Sequence, residues 1–342
     1  MENETQITQK MTVEVTGTTG VLTLTRPKAL NALDLEMYHI IDDALTDWEN
    51  DPAVEQVLIV SGIDRAFCAG GDIRIVAEHD GRGDHDYGDH ALRVEYDMNA
   101  HLARFPKPII TIVNGLCMGG GLGVTVHNSH RIITEKAWMS MPEMNIGYCP
   151  DVGVTWQTQR LHTRAVAAFM GITGYRFTPG DCLWAGLGTH FVASADLPQF
   201  TESLLKDGVD QATALYATTP PEAELTAWEA EIEQVFSHDT WAEMAAELEQ
   251  TSPEFQEFVR GLIQQANPSS IVATAELYRA NAAAPTVQAG LDNEWRLGAV
   301  LRRESNFPEG VRAVLVDKDQ TPHFVPATVE QVDPQPYRDA LR

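Results

Sequence analysis

Two carboxylates stand in an otherwise apolar stretch, MPEMNIGYCPDVG, which spans residues 141–153. Glu143 and Asp151 have Met, Ile, Tyr, Val and Gly as neighbours, and an ionised carboxylate is costly to bury unless it is paired or hydrogen-bonded. Acids in such a setting are either exposed turn residues or groups that act as nucleophile, general base or general acid. The rest of the chain must decide between these two interpretations.

Two glycine-rich turns each follow an apolar run, namely FCAGGDI at residues 67–73 and NGLCMGGGLG at residues 114–123. Neither fits the dinucleotide pattern GxGxxG or the P-loop pattern, which disfavours nucleotide hydrolysis. Glycines after strands also let a ligand approach the backbone, where free N–H groups can stabilise an oxyanion. Each turn by itself is also explained as a tight structural turn.

The sequence contains no complete motif for a metal site or for a serine or cysteine nucleophile. The stretch HDGRGDHDYGDH, residues 79–90, concentrates histidines and aspartates, but its spacing matches no metal-binding framework. The stretch predicts a flexible loop near the mouth of a substrate pocket and no metal site. The chain has no GxSxG nucleophile elbow. The four cysteines show no CxxC spacing and are predicted to be reduced packing residues: Cys68, Cys117, Cys149 and Cys182.

The elements that must position these residues alternate between strands and helices. MTVEV and GVLTLTRP, separated by TGTTG, predict a β-hairpin, and VEQVLIVSG and KPIITIVNG predict buried strands. The apolar spacing from Leu35 to Trp48 predicts a helix with Asp34 as its N-cap. Repeated strand, turn and helix units predict an α/β layered core up to about residue 200. Beyond it, acidic amphipathic segments separated by Pro or Ser predict a helical lobe whose acids face solvent.

Length and charge narrow the range of partners and locations. The formal net charge of -25 repels phosphate backbones and anionic lipids, so neither nucleic acid nor a membrane is a predicted partner. The N-terminal residues show no signal or transit pattern, and no apolar run is long enough to span a bilayer. A soluble, cytoplasmic protein is therefore expected. Since 342 residues exceed what one core usually serves, we predict a catalytic core at 11–200 and a helical lobe at 201–342.

The glycine-rich turns and the acidic stretch occur together in a recognisable order. RAFCAGGDI, NGLCMGGGLG and MPEMNIGYCPDVG, preceded by RPKALNAL, resemble the crotonase (enoyl-CoA hydratase/isomerase) superfamily from about Val13 to Phe324. The resemblance implies an α/β fold with a crotonase-like core of repeated strand-strand-helix units. The helical C-terminal lobe would complete the active site or a subunit interface. Within the superfamily, MGGG, PDVG, NPSS and EGVRAVLVDKDQTPHF resemble the branch that hydrolyses 3-hydroxyisobutyryl-CoA.

The resemblance also implies roles for single residues. The peptide N–H groups of Ala69 and Gly120 would form the oxyanion hole. Glu143 would attack the thioester carbon or activate water, and Asp151 would position the 3-hydroxyl group or the water. Glu95, in the pair EY, would contact the substrate, with a solvated helix glutamate as the alternative. The substrate would thus meet Glu95, Gly120, Glu143 and Asp151. Coenzyme A would run along a further set: Lys28, Ala29, Leu30, Gly71, Asp72 and Ile73.

The implied activity is hydrolysis of a short branched 3-hydroxyacyl-CoA thioester in valine catabolism. Coenzyme A would be part of the substrate, with no resident cofactor. Hydratases of the superfamily carry two glutamates, and Gly123 occupies the place of the first, whereas Glu143 matches the second. An enoyl-CoA hydratase or isomerase is therefore the second hypothesis. A catalytically silent CoA-binding subunit is the third, disfavoured because Glu143 and Asp151 are retained. The resemblance suggests a homo-oligomer and leaves the subunit count open.

Overall fold

The computed structural model describes residues 6–7 and 10–342, and the N-terminal expectation falls partly on residues 1–5 and 8–9, outside the described part. The chain divides into two compact units, each assembled from three separate stretches. The first unit comprises Met1–Gly71, Asp97–Met139 and Arg176–Glu224. The second unit comprises Asp72–Tyr96, Ser140–Tyr175 and Leu225–Arg342.

The strands are, in chain order, β1 (Gln6–Ile7), β2 (Met11–Thr16), β3 (Thr19–Leu24), β4 (Gln56–Ser61), β5 (Ala66–Cys68), β6 (Ile109–Val113), β7 (Leu116–Met118), β8 (His130–Ile133), β9 (Trp138–Ser140) and β10 (His190–Phe191). They form a sheet of order β1-β2-β3-β4-β6-β8-β10 and a second sheet of order β5-β7-β9.

The α-helices are, in chain order, α1 (Leu35–Glu49), α2 (Ile73–Gly81), α3 (His85–Arg104), α4 (Gly120–Gly123), α5 (Val154–Gln157), α6 (Arg164–Thr173), α7 (Pro179–Trp184), α8 (Leu197–Asp207), α9 (Val209–Tyr216), α10 (Glu229–Phe236), α11 (Trp241–Leu248), α12 (Pro253–Ile263), α13 (Pro268–Ala283), α14 (Val287–Arg302), α15 (Asn306–Val311) and α16 (Gln335–Ala340).

The larger sheet of the first unit begins with the predicted hairpin. Strands β2 and β3 pair antiparallel from Met11 opposite Leu24 to Thr16 opposite Thr19, so the hairpin is confirmed. Strands β3, β4, β6, β8 and β10 then run parallel. A parallel sheet is covered on both faces, which explains why the central strands read as the continuous apolar runs QVLIVS and IITIV.

Helices α1, α8 and α9 belong to the first unit as well. Helix α1 begins at the predicted cap, where the Asp34 carboxylate accepts the N–H of Met37 at 3.2 Å. Phe200 and Leu204 of α8 pack with Ile110 and other strand residues in one apolar core. The predicted boundary between residues 200 and 201 falls inside α8, whose side chains serve this core on both sides of it.

The second unit is built from helices, as predicted for the C-terminal region. Phe169 of α6 meets Phe236 of α10 edge to face, with ring centroids 5.3 Å apart. Helix α11 begins with a capping box, in which Thr240 accepts the N–H of Glu243 at 3.3 Å and Glu243 accepts the N–H of Thr240 at 3.1 Å. Glu243 is exposed, which agrees with the solvent-facing interpretation of the acidic segments.

The segment at residues 79–90 is not the flexible loop that the sequence predicts. Helix α2 runs to Gly81 and α3 starts at His85, so that most of the segment is helical. The buried guanidinium of Arg302 pairs with Asp80 at 3.3 Å and also with Asp89, which ties both helices to α14. Long-range ion pairs of this kind are invisible in a local pattern. Among the described residues, no group of His, Cys, Asp and Glu is arranged to hold a metal ion.

Candidate active site

Glu143 and Asp151 lie on successive turns of the second unit. Glu143 begins a 3₁₀ turn, Glu143–Ile146, which ends at Gly147 with a φ of 72°. Asp151 immediately precedes two left-handed residues, Val152 with a φ of 55° and Gly153 with a φ of 78°. Glu143 is only 8% exposed and Asp151 only 6% exposed. Neither acid is therefore an exposed turn residue.

Asp151 has a hydrogen-bond partner that the sequence did not reveal. The hydroxyl of Tyr96 donates to Oδ2 of Asp151 at 2.6 Å, and the hydroxyls of Tyr96 and Tyr148 lie 3.2 Å apart. Burial and the charge of Asp151 raise the pKa of Tyr96 well above its usual value, so Tyr96 keeps its proton and remains a donor. A short bond from a phenol stabilises the ionised form of Asp151.

Glu143 differs from Asp151 in its hydrogen bonding. Its Oε2 atom is buried without a hydrogen-bond partner among the described residues. Burial raises the pKa of Glu143 well above its usual value, and the charges of Asp151 and Glu95 raise it further. Burial also raises the pKa of Asp151, to about 7, although the bond from Tyr96 lowers it. The hydrogen bond from Tyr96 therefore favours ionisation of Asp151 over ionisation of Glu143.

Glu95 completes an acidic group in the second unit. It lies on α3, directly before Tyr96, and is 4% exposed, so the solvated-helix alternative is excluded. The charge of Glu95 adds to the effect of burial in raising the pKa of Glu143. The structure thus brings together three predicted site residues: Glu95, Glu143 and Asp151. Buried acids with perturbed pKa values are typical of catalytic sites.

A fourth buried acid, Glu294 of α14, holds the turn that follows Asp151. Its carboxylate accepts the N–H of Gly153 at 2.7 Å and the N–H of Thr155 at 3.2 Å, together with the Thr155 hydroxyl. Burial raises the pKa of Glu294, and the bonds from Thr155 and Gly153 lower it. Three donors on its two oxygens favour the ionised form. Sequence reasoning missed this residue, since Glu294 is far from the turn along the chain and matches no motif.

The predicted oxyanion turns lie in the first unit and pack backbone to backbone. A Cβ added at Gly121 would lie 2.6 Å from the carbonyl oxygen of Cys68, so only glycine fits there. Gly120 is the first residue of α4, and its N–H therefore has no acceptor inside the helix. This arrangement is compatible with Gly120 as an oxyanion donor.

The N–H of Ala69, unlike that of Gly120, has a backbone acceptor among the described residues. Its N–H donates to the carbonyl oxygen of Leu30 at 3.0 Å, so its proton is already engaged within the chain. This bond counts against Ala69 as an oxyanion donor, and a motif match could not show it. Among the described residues, no backbone carbonyl accepts the N–H of Gly71 in the same turn.

The hydrogen bond from Ala69 ends on Leu30, which belongs to the predicted coenzyme A set. Lys28, Ala29 and Leu30 lie on and just after a 3₁₀ turn, Pro27–Ala29, and Lys28 is exposed. Leu33 donates to the carbonyl of Gly70 at 2.8 Å and forms a parallel bridge with Gly71. Lys28, Ala29, Leu30 and Gly71 are thereby connected in the first unit. Asp72 and Ile73 begin the second unit, as the N-cap and first residue of α2.

The cysteines offer no alternative nucleophile. All four are buried and free, as predicted: Cys68, Cys117, Cys149 and Cys182. Burial and the charge of Asp151 raise the pKa of Cys149 well above its usual value, which keeps it in the inert thiol form.

Comparison with known proteins identifies the family. The chain belongs to the enoyl-CoA hydratase/isomerase family, whose model matches residues 19–341. The mitochondrial 3-hydroxyisobutyryl-CoA hydrolase of Homo sapiens is 35% identical over 343 residues, covering 97% of this chain and 88% of that protein. The related hydrolase of Gallus gallus is also 35% identical and covers 92% of this chain and 84% of its own.

Two solved structures share the fold over almost the whole chain. A carnitinyl-CoA dehydratase from Mycobacterium thermoresistibile is 33% identical, with a TM-score of 0.90, and covers 98% of this chain and 97% of its own. An enoyl-CoA hydratase from Rhodobacter sphaeroides is 37% identical, also with a TM-score of 0.90, and covers 97% of both chains. The crotonase-like fold and the prediction of an enzyme are confirmed.

Location and assembly are less constrained. No helix in the described part of the chain combines the length and apolarity needed to cross a bilayer. The hydrolase relatives are named as mitochondrial proteins, so the cytoplasmic expectation stays a prediction. The expected homo-oligomer and the absence of a resident cofactor also stay predictions.

Proposed function

We propose that this enzyme hydrolyses a short branched 3-hydroxyacyl-CoA thioester, with 3-hydroxyisobutyryl-CoA as the leading candidate. The observation that carries the proposal is the burial of both Glu143 and Asp151 in the second unit, with the Tyr96 hydroxyl donating to Asp151 at 2.6 Å. The hydrolase relatives at 35% identity support the same substrate class. With this substrate, the reaction would serve valine catabolism.

The pair supplies what thioester hydrolysis requires. Water adds to the carbonyl carbon, the carbon–sulfur bond breaks, and the products are the carboxylic acid and the free thiol of coenzyme A. One ionised acid removes the proton of water or attacks the carbonyl itself, and the protonated partner can return a proton. The resemblance implies the nucleophile or base role for Glu143 and the hydroxyl or water contact for Asp151. In that role Glu143 reacts as the carboxylate, either with the proton held by Asp151 or with both acids ionised. The proposal requires no metal or resident cofactor.

Peptide N–H groups of the glycine turns are proposed to stabilise the oxyanion. Gly120 is retained from the resemblance, and Gly71 replaces Ala69 because the Ala69 N–H is engaged with Leu30. Fixed N–H dipoles favour the charge that develops on the carbonyl oxygen, each contributing roughly 3 to 4 kcal/mol.

Hydration or dehydration of an acyl-CoA is the second candidate, and the names of the two solved structures favour it. The residue Gly123 speaks against it. Hydration of an enoyl-CoA uses two groups to place water and move its proton, and Gly123 stands where the resemblance expects the first glutamate. A silent CoA-binding subunit is disfavoured because a buried acid pair is costly to keep without a function.

The test compares two substrates with the purified chain. 3-Hydroxyisobutyryl-CoA is followed by release of free thiol, and crotonyl-CoA by loss of enoyl absorbance. We expect thiol release from the first and little hydration of the second. Rapid hydration of crotonyl-CoA without thiol release would replace the proposal with the second candidate.

A matched control tests the hydroxyl group. Isobutyryl-CoA has the same carbon skeleton without the 3-hydroxyl, and its binding would leave a buried carboxylate oxygen unpaired. We expect kcat/KM for 3-hydroxyisobutyryl-CoA to exceed that for isobutyryl-CoA by at least about 100-fold. Equal values would reduce the proposal to a general short-chain acyl-CoA hydrolase.

A further inference from the structure

The turn that carries Asp151 has an unfavourable backbone conformation. Val152 has a φ of 55°, which is rare for a β-branched residue, and Gly153 follows with a φ of 78°. Such a conformation persists only where the surroundings fix it, and it is common at functional sites. Val152 is 1% exposed, so solvent does not hold this turn. Contacts from elsewhere in the second unit must do so.

Glu294 makes those contacts. The residue is 0% exposed, and its two carboxylate oxygens divide the donors of the turn between them. Oε2 accepts the N–H of Gly153 at 2.7 Å, and Oε1 accepts the N–H of Thr155 at 3.2 Å as well as its hydroxyl. Both oxygens are thus committed to protein donors, which leaves Glu294 unsuited to a direct reaction with substrate.

A second layer of amides fixes this arrangement. Asn281 of α13 donates to the Thr155 hydroxyl oxygen at 2.6 Å, and Asn293 donates to the side-chain oxygen of Asn281 at 2.7 Å. Asn281 and Glu294 are 0% exposed and Asn293 is 8% exposed, so these bonds are protected from water. The turn is therefore anchored to two long helices, α13 and α14, through buried polar groups.

We propose that Glu294 is a positioning residue, which fixes the strained turn at residues 151–153 and thereby aims Asp151 at its partner Tyr96. The inference rests on the proposed function for its catalytic part only. Hydrogen bonds of a carboxylate to successive donors are directional, and a displacement of a catalytic group by about 1 Å can cost about 100-fold in rate. The C-terminal helices then contribute to catalysis without supplying an acid that touches the substrate.

The test uses Glu294→Gln in the full chain, because the change is nearly isosteric but turns an NH₂ group towards a donor of the turn. The matched control is Glu276→Gln, since Glu276 of α13 is also buried but pairs with Arg279 and Arg338, not with the turn. Hydrogen exchange in the absence of substrate is measured for the amides of Gly153 and Thr155. We expect exchange at least about 10-fold faster in Glu294→Gln and unchanged in Glu276→Gln.

Kinetics test the link to Asp151. With 3-hydroxyisobutyryl-CoA, Glu294→Gln should lower kcat by about 30- to 100-fold with KM within about 3-fold. In an Asp151→Asn background, Glu294→Gln should lower kcat by less than about a further 3-fold. The placement of residue 151 matters little once its carboxylate has been removed. A general loss of stability would instead lower the rate equally in both backgrounds.

The outcomes separate the two claims. Unchanged exchange at Gly153 and Thr155 in Glu294→Gln would refute the positioning role, whatever the substrate proves to be. Equal effects of Glu294→Gln in the wild-type and Asp151→Asn backgrounds would also refute it. Absence of thioester hydrolysis by the wild-type chain would refute the proposed function, and the exchange experiment would then decide the positioning role alone.

Discussion

Removing one hydroxyl group should move the pH dependence of the reaction. Tyr96→Phe keeps the buried ring but deletes the O–H that donates to Asp151 at 2.6 Å. This bond favours the ionised form of Asp151 and therefore lowers its pKa, which burial otherwise raises to about 7. A hydrogen bond to a charged group contributes about 1.5 to 3 kcal/mol, and one pKa unit corresponds to about 1.4 kcal/mol. Its loss should raise the pKa of Asp151 by about 1 to 2 units.

The assay is kcat/KM for 3-hydroxyisobutyryl-CoA between pH 5 and pH 10. If the reaction requires Asp151 in its ionised form, the acidic limb of the profile should move upward by about 1 to 2 pH units in Tyr96→Phe. Because about half of Asp151 is ionised at pH 7 in the wild type, the rate at pH 7 should fall about 5- to 50-fold and recover towards pH 9.5. Such a recovery distinguishes a shifted pKa from damage to the fold.

Tyr148→Phe is the matched control. Tyr148 is also buried, but its hydroxyl lies 3.2 Å from the hydroxyl of Tyr96 and is not the donor to Asp151. Removing it should therefore move the acidic limb of the pH profile by less than about half a pH unit. An equal fall at every pH in Tyr96→Phe, with no movement of the limb, would refute the reasoning. Equal movement in both variants would show that the bond to Asp151 is not the cause.

Three further predictions use other groups of the site. Glu143→Gln should lower turnover by at least about 100-fold while circular dichroism stays unchanged, and wild-type thiol release would remove Glu143 from the mechanism. Asp151→Asn should raise the free energy of unfolding by about 1 to 3 kcal/mol at pH 8 and by almost nothing at pH 4. The sign follows because a pKa raised in the folded state makes stability fall as pH rises from the unfolded value of 3.8 to about 7, which paired urea titrations can measure. Gly121→Ala should destabilise the protein by at least about 1 kcal/mol, because its Cβ would lie 2.6 Å from the carbonyl oxygen of Cys68. Gly261→Ala, on α12 with nothing within 4 Å of the new Cβ, should be neutral or slightly stabilising, and equal melting temperatures for the two variants would contradict the clash.

Local patterns of the sequence predicted much of the first unit. Alternating apolar residues gave the β2–β3 hairpin, and the helical spacing after Asp34 gave α1 together with its cap. The continuous apolar runs of β4 and β6 reflect burial on both faces of a parallel sheet. These features depend on neighbours along the chain, so a single sequence reveals them.

The supporting residues of the site could not be predicted in the same way. Glu143 and Asp151 were conspicuous as acids among apolar residues, whereas Tyr96 and Tyr148 resemble ordinary core aromatics in sequence. Tyr96 is bonded to a residue 55 positions away, and Glu294 is bonded to one 141 positions away. Pairings of this kind depend on the tertiary fold. The engagement of the Ala69 N–H is likewise a matter of backbone geometry that a motif match does not contain.

Because each unit is assembled from separate stretches of the chain, its parts are synthesised at different times. Residues 72–96 and 140–175 of the second unit leave the ribosome before the helices that complete it. Gly153 and its partner Glu294 are 141 residues apart, a delay of roughly 7 to 30 s at ordinary rates of synthesis. During that time the acids of the nascent chain lack their native surroundings. A chain that stops before α14 would keep Glu95, Glu143 and Asp151 but would lack the Glu294 carboxylate that holds the turn after Asp151, so we expect full activity only after synthesis has passed α14.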